Sequence, residues 1–222
     1  MKQTRNSNDS PGMATLREYY VLDTVAERVF DDVTALAAYI CDVPIAMISF
    51  GDETRQWFKS KVGINEQETP REAVFCAQTI LHPEPLIVND ACADARFAGN
   101  KLITEEPQIR FFAGFPLVSP AGYSLGALCT VKRAPHQLSE RQQTAMKYLS
   151  RQVMTLLELR RLSARMAQTL ENMMPQSEQR QVCCLCHRIH DQAGEWVTPE
   201  VFLRDRLQSA VNPVVCPDCF RH

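Results

Sequence analysis

Long hydrophobic runs are missing from this 222-residue chain. None reaches the roughly 18 to 20 residues that a bilayer span requires, and the polar start, 1–11, has no apolar stretch of the kind a secretory signal carries. The expectation is a cytoplasmic protein without a membrane partner. Charge of one sign is missing as well. A formal net charge of −2 supplies no electrostatic reason to bind an anionic membrane or a nucleic acid, so neither is expected as a partner. A Gly-rich phosphate loop is also lacking, which removes the usual anchor for nucleotide hydrolysis. What remains is a composition of 45% hydrophobic and 23% charged residues, that of a soluble globular protein. The length suits one mid-sized domain with a real core and a small appendage.

The most specific pattern lies near the C-terminus. Cys183-x-x-Cys186 and Cys216-x-x-Cys219 are two CxxC pairs separated by 29 residues. Each pair can present two thiolates to one ion, and two pairs together complete a tetrahedral S₄ shell suited to Zn²⁺. Such a shell has no open position for substrate, so the expected role is structural or regulatory and not hydrolytic. A dithiol switch that releases zinc on oxidation is the rival reading of the same four residues. Cys184 stands between two ligands as a bystander, and His187 and His190 are read as surface residues because four cysteines already fill a tetrahedron. The other cysteines, Cys41, Cys76, Cys92 and Cys129, sit in mostly apolar surroundings and read as small buried hydrophobes.

Along the chain, 1–14 is expected to be a flexible tail. Asp23 or Thr24 can cap a helix to Cys41, with Val25, Val29, Val33, Leu36, Ala37 and Ile40 as its packing stripe. Strands are expected at 45–50 and 56–60 as a hairpin, then at 86–89, 109–117 and 124–132, the last two joined by the turn at Pro120 to Gly122. A short helix is expected at 74–81. Ser139, with Gln142 three residues on, opens a long proline-free helix toward Met173. Met146, Leu149, Val153, Leu156, Arg160, Ser163, Ala167, Leu170 and Met174 recur along it at alternating spacings of four and three, apolar first and mixed later. The first half is expected to pack on the sheet, the second half to serve as a connector or homodimer seam. The expected organisation is a tail at 1–14, a domain at 15–158, a helical connector and hinge at 159–181, and the cysteine module at 182–222.

Several blocks in the body of the chain, in order, carry a resemblance. They include 16–24 (LREYYVLDT), Phe30-Asp31-Asp32, 55–60 (RQWFKS), 68–72 (ETPRE), Phe75-Cys76-Ala77, Asp90-Ala91, Asp94-x-Arg96-Phe97 and 109–114 (IRFFAG). Together they resemble bacterial GAF sensor domains over about residues 16–160. The resemblance implies an α+β fold: a PAS-like antiparallel sheet of about six strands, helices on one face, and a small-molecule cavity on the other. It also implies a kinase or cyclic-dinucleotide enzyme as a signalling partner. The chain contains no GGDEF-like motif and no phosphoacceptor with ATP lid, so the expectation is a sensor or adaptor and not an enzyme.

Cys76, Asp90, Arg110 and Phe112 are the candidate ligand residues, although Asp90 could instead close a loop by a salt bridge to Arg96, and Arg110 could pair with an acidic neighbour. Reduction of a sulfoxide by Cys76 or Cys129 is a weaker alternative, as is a dimerisation scaffold without ligand. Residues 183–189, Trp196, Phe202 and 215–219 are similar to a short module that ends some bacterial GAF, PAS and receiver proteins. The chain departs from that module at Asn212-Pro213-Val214.

Overall fold

Alternation along the central strands decides the architecture. On β1 (Ile45–Gly51), Ala46, Ile48 and Phe50 belong to one buried cluster while Ile45 and Met47 belong to another. β5 (Phe111–Val118) repeats the division, with Phe111, Ala113, Phe115 and Leu117 on one side and Phe112 on the other. A strand projects successive side chains to opposite faces, so a strand buried along its whole length must lie in a sheet covered on both faces.

The computed structural model describes residues 11–70, 74–97, 99–105 and 107–173, and in the C-terminal part 181, 183, 186, 188–191 and 194–202. The remaining strands of the main sheet are β2 (Arg55–Val62), β3 (Glu68–Pro70), β4 (Leu86–Val88) and β6 (Ser124–Lys132), and the order is β3-β2-β1-β6-β5-β4. Its pairs are antiparallel. One face is covered by α1 (Pro11–Arg17), α2 (Arg28–Cys41) and the first part of α5 (Glu140–Met173), which contribute Leu16, Phe30, Ala37, Met146, Val153 and Leu157 to that cluster. The other face carries α3 (Val74–Thr79) and the single turn α4 (Lys101–Thr104).

The chain divides into two compact units, one ending at Arg161 and the other beginning at Leu162. In the second unit, β7 (Ile189–His190) and β8 (Trp196–Val197) form a small antiparallel hairpin. Ile189 and Phe202 are buried against Val197, and the His190 ring meets Trp196 edge-on. Among the described residues no helix is long and apolar enough to cross a membrane.

The expected sheet and long helix are present, and three local readings change. The expected tail at 1–14 is shorter on its C-terminal side, because α1 already occupies Pro11–Arg17. α2 begins at Arg28, four or five residues after the expected cap, because Asp23, Thr24, Val25 and Glu27 are engaged by side chains from β2. Its buried face is Phe30, Val33, Thr34, Ala37 and Cys41, while Val25 before it, and Val29 and Leu36 on it, are exposed. The cap at Ser139 holds: its hydroxyl accepts from the Gln142 backbone N–H, and the Gln142 side-chain Oε1 accepts from the Ser139 backbone N–H.

Candidate functional site

The face bearing α3 and α4 contains a cavity of about 420 Å³. Its floor is built from alternate positions on three strands and a neighbour: Ile45 and Met47 of β1, Phe112 of β5, Val131 of β6 and Phe58 of β2. Phe75 and Cys76 of α3 form one wall, and Asn65, Glu66, Thr69 and Arg133 supply a polar rim. The floor and the α3 wall are buried, whereas Asn65, Glu66 and Arg133 are exposed. A concave apolar site with a few polar groups at its edge suits a small organic molecule. The Phe75 ring stacks on Phe112 at 4.9 Å and lies 4.7 Å from Phe97, so the wall is an aromatic cluster.

Close approach of α3 depends on Gly114. A Cβ there would stand 2.4 Å from Thr79 Oγ1 and 2.9 Å from the Phe112 ring, so a larger residue would push the helix off the sheet. On the same face, the Cys76 and Cys129 sulfurs are 3.7 Å apart and both residues are buried. Their interaction holds the Cys76 thiol below its usual pKa against the opposing effect of burial, while the same bond and burial push Cys129 up.

Of the four candidate ligand residues, Cys76 and Phe112 line the cavity. Asp90 and Arg110 do not appear in its lining; they bind each other through two parallel bonds of 2.8 Å. Asp90 also accepts the Cys92 backbone N–H, and the Ala91 N–H donates to the Arg110 carbonyl, so this pair fastens the exit of β4 to the entry of β5. The Arg110 bond, more than anything else, holds Asp90 below the ordinary carboxylate range.

The sequence reading did not single out Phe58, Phe75 or Met47. The signal was present in the alternation of β1 and in the proximity of Phe75 to Cys76, but a buried aromatic on a strand reads first as core.

A second constellation joins the cavity strand to α5. The β1–β2 register shifts between Ile48 and Ser49, which pair with Ser60 and Phe58. This bulge leaves Lys59 as the extra residue and places it and Ser60 both toward the helices. The Lys59 ammonium, with no side-chain exposure, donates to Thr24 Oγ1, to the Val25 carbonyl and to Glu27 Oε1, at 2.7, 2.7 and 2.5 Å. Ser60 donates to Asp31 of α2. Arg160 of α5 donates to the same Glu27 oxygen at 2.6 Å and to the Tyr20 carbonyl. Burial alone would raise the Glu27 pKa, but the bonds and charges of Lys59 and Arg160 prevail and lower it. Arg160 was read as a mixed position on the helix seam; it is a buried partner of the domain's own core.

In the C-terminal unit Cys183 is half-buried and Cys186 exposed, and the Cys183 N–H donates to the Arg188 carbonyl as the chain enters β7. Cys216 and Cys219 lie outside the described residues. Among the described residues no group of three metal-ligating side chains converges.

A six-stranded antiparallel sheet with terminal helices on one face and a lined cavity on the other is the architecture of a sensor domain. The sequence profile of the GAF domain matches residues 26–157, and the chain belongs to the GAF family. A cyclic di-GMP phosphodiesterase of Pseudomonas aeruginosa is 40% identical over 135 residues, a segment that is 60% of this chain and 23% of that protein. The chain thus spans under a quarter of that relative's length.

Two solved structures share the fold. The GAF domain of PixJ from Thermosynechococcus elongatus, in its blue-light-absorbing form, superposes with a TM-score of 0.53 at 14% identity, covering 75% of this chain and 99% of that one. The free methionine-R-sulfoxide reductase of Neisseria meningitidis, solved with its substrate, gives 0.51 at 17% identity, covering 73% and 99%.

The expectation that the chain is not an enzyme is corrected here. It rested on the lack of output motifs, yet the relative that shares 40% identity is itself named as an enzyme. Missing output motifs report on those outputs alone and carry no information about chemistry associated with the domain that was matched.

Proposed function

We propose that this GAF sensor holds an apolar small molecule in the cavity beneath α3 and that occupancy controls a cyclic-dinucleotide phosphodiesterase output. The observation that carries the reading is the cavity itself, with an aromatic and aliphatic floor, a polar rim and a volume of about 420 Å³. Its association with cyclic-dinucleotide turnover is supported by the 40% identity to a segment of a protein named for that activity.

The route from cavity to output runs through adjacent residues. Phe58 lines the cavity and Lys59, next in the chain, holds Glu27, which Arg160 of α5 shares. A ligand that moves β2 by a fraction of an ångström changes the ion cluster that anchors α5. It does so only to the extent that it binds the two arrangements unequally.

In this proposal the C-terminal unit is held by Zn²⁺ on Cys183, Cys186, Cys216 and Cys219, in a reducing cytoplasm that keeps the thiols available. The hairpin that follows Cys183, with Ile189 and Phe202 buried against a half-buried Val197, fits a unit too small to fold on apolar burial alone. Homodimerisation along α5 completes the proposal, with Leu159, Leu162 and Met166 exposed at helical spacing.

Native mass spectrometry of the reduced full chain tests these points together, since one spectrum reports subunit count, bound metal and retained small molecules. A retained organic mass, or saturable binding of an apolar fluorescent probe that Val131→Trp abolishes, supports the ligand reading. A folded chain that retains nothing and binds no probe overturns it. One zinc per subunit, lost in Cys183→Ser, supports the clip, and a metal-free folded tail overturns it.

A further inference from the structure

We propose that Cys76 and Cys129 are a reactive dithiol, oxidised to a disulfide by an organic hydroperoxide that enters through the cavity. The proposal rests on the ligand reading above only for access. The sulfurs stand 3.7 Å apart, and an S–S bond of about 2 Å needs them to close by roughly 1.7 Å. Cys76 is carried by the short helix α3 and Cys129 by the central strand β6, so the movement falls to α3.

The two thiols differ in access. Cys76 lines the cavity, whereas Cys129 is absent from the lining and has no exposed surface. That asymmetry orders the chemistry. The Cys76 thiolate attacks the outer oxygen of the hydroperoxide: an S–O bond forms, the O–O bond breaks, and the leaving alkoxide takes a proton to become an alcohol. Cys76 is now a sulfenic acid. The Cys129 sulfur then attacks the Cys76 sulfur, the S–S bond forms, the S–O bond breaks, and the departing hydroxide leaves as water with the Cys129 proton. Two thiols lose two electrons and two protons, and the hydroperoxide gains them as alcohol and water.

The surroundings favour Cys76 as the nucleophile. Its pKa is lowered by the contact with Cys129, against the opposing effect of burial. The apolar floor of Met47, Phe58 and Phe112 selects a hydroperoxide with a hydrocarbon body over hydrogen peroxide. Phe75, beside Cys76, is stacked on Phe112, so drawing Cys76 toward Cys129 moves a cavity wall. Oxidation therefore changes affinity for whatever the cavity holds.

The test treats the reduced full chain, in a Cys92→Ser background that removes the exposed thiol nearest in sequence, with one equivalent of cumene hydroperoxide. Trypsin then releases a peptide ending at Arg96 and another ending at Lys132. The expected result is these two peptides joined and two hydrogens lighter. In Cys129→Ser, dimedone is expected to trap Cys76; in Cys76→Ser, Cys129 is expected to stay unmodified.

Free thiols at both positions after the peroxide is consumed overturn the proposal, as does first attack at Cys129 or conversion of Met47 to its sulfoxide ahead of any thiol chemistry. The map of the chain with both cysteines intact decides the matter even where a serine variant folds poorly. The probe titration described above is separate: a disulfide without probe binding overturns the ligand reading alone, and probe binding without a disulfide overturns the dithiol alone.

Discussion

Lys59 and Arg160, from strand β2 and helix α5, donate to one and the same atom, Glu27 Oε1, at 2.5 and 2.6 Å. Two buried cations thus lean on a single carboxylate, and one Arg160 nitrogen, Nη2, is buried without any partner. The Thr24, Val25 and Tyr20 oxygens take up further donors of the two cations. Breaking a buried pair from one side leaves the other charge uncompensated.

Glu27→Gln is therefore expected to be among the most damaging single polar substitutions in the domain. Removing one partner of a buried ion pair costs about 3 to 5 kcal/mol, and the partial exposure of Glu27 places the cost near the lower end of that range. Urea unfolding of the variant checks it, and a loss under about 1 kcal/mol would show that the cluster is not stabilising. A double-mutant cycle between Lys59→Met and Arg160→Met is expected to show non-additivity, because both report on the same oxygen.

Acidification should release the same cluster. In the folded chain Glu27 and Asp52 titrate below their ordinary values of 4.5 and 3.8. In each, burial works upward and is outweighed, at Glu27 by Lys59 and Arg160, and at Asp52 by Arg55 and the backbone N–H groups of Thr54 and Arg55. Between the folded and unfolded values the unfolded chain binds more protons, so stability is full above the ordinary values and is lost as pH falls through the folded ones. Acid titration by circular dichroism is expected to show this loss, with a shallower slope in Glu27→Gln. An unchanged slope would remove Glu27 from the acid response.

Asp90 and Arg110 bind each other and do not line the cavity, so Asp90→Asn should loosen the β4–β5 connection and leave ligand affinity alone. The expected outcome is a lower melting temperature with unchanged dissociation constant for an apolar probe. A probe affinity that falls while the melting temperature holds would return Asp90 to the ligand site.

The legible parts of this chain were those in which local chemistry and tertiary packing agree. β6 was expected at 124–132 and spans those residues, because a run of apolar residues bounded by a Gly turn has one economical fate. The long helix was legible from Ser139 and Gln142, which satisfy each other's backbone. The start of α2 was not legible, since its natural caps are taken by Lys59 and Arg55 across the fold, and Lys59 sits at a bulge that no local pattern announces. Asp90 and Arg110 carried chemistry that suited a ligand or an ion pair equally, and only the fold brings them face to face. Nothing in the sequence pairs Cys76 with Cys129; 53 residues apart, their proximity is a property of sheet and helix packing alone.

Gly114 is the position where packing and proposed chemistry can be separated. It lies on β5 opposite Cys129, and α3 rests on it through Thr79, whose hydroxyl donates to the Phe75 carbonyl one turn back. An added methyl would overlap Thr79 Oγ1 at 2.4 Å and the Phe112 ring at 2.9 Å, and the short helix yields more readily than a paired strand. Gly114→Ala should therefore cost about 1 to 3 kcal/mol, the usual range for overpacking a filled site. It should also lift α3, carrying Cys76 away from Cys129 and slowing their cross-linking by cumene hydroperoxide. Thr79→Ala in the same chain removes the nearest overlapping atom and is expected to recover part of both losses. Recovered stability without recovered cross-linking would mean that the separation of the two sulfurs is not set by the contact between α3 and Gly114.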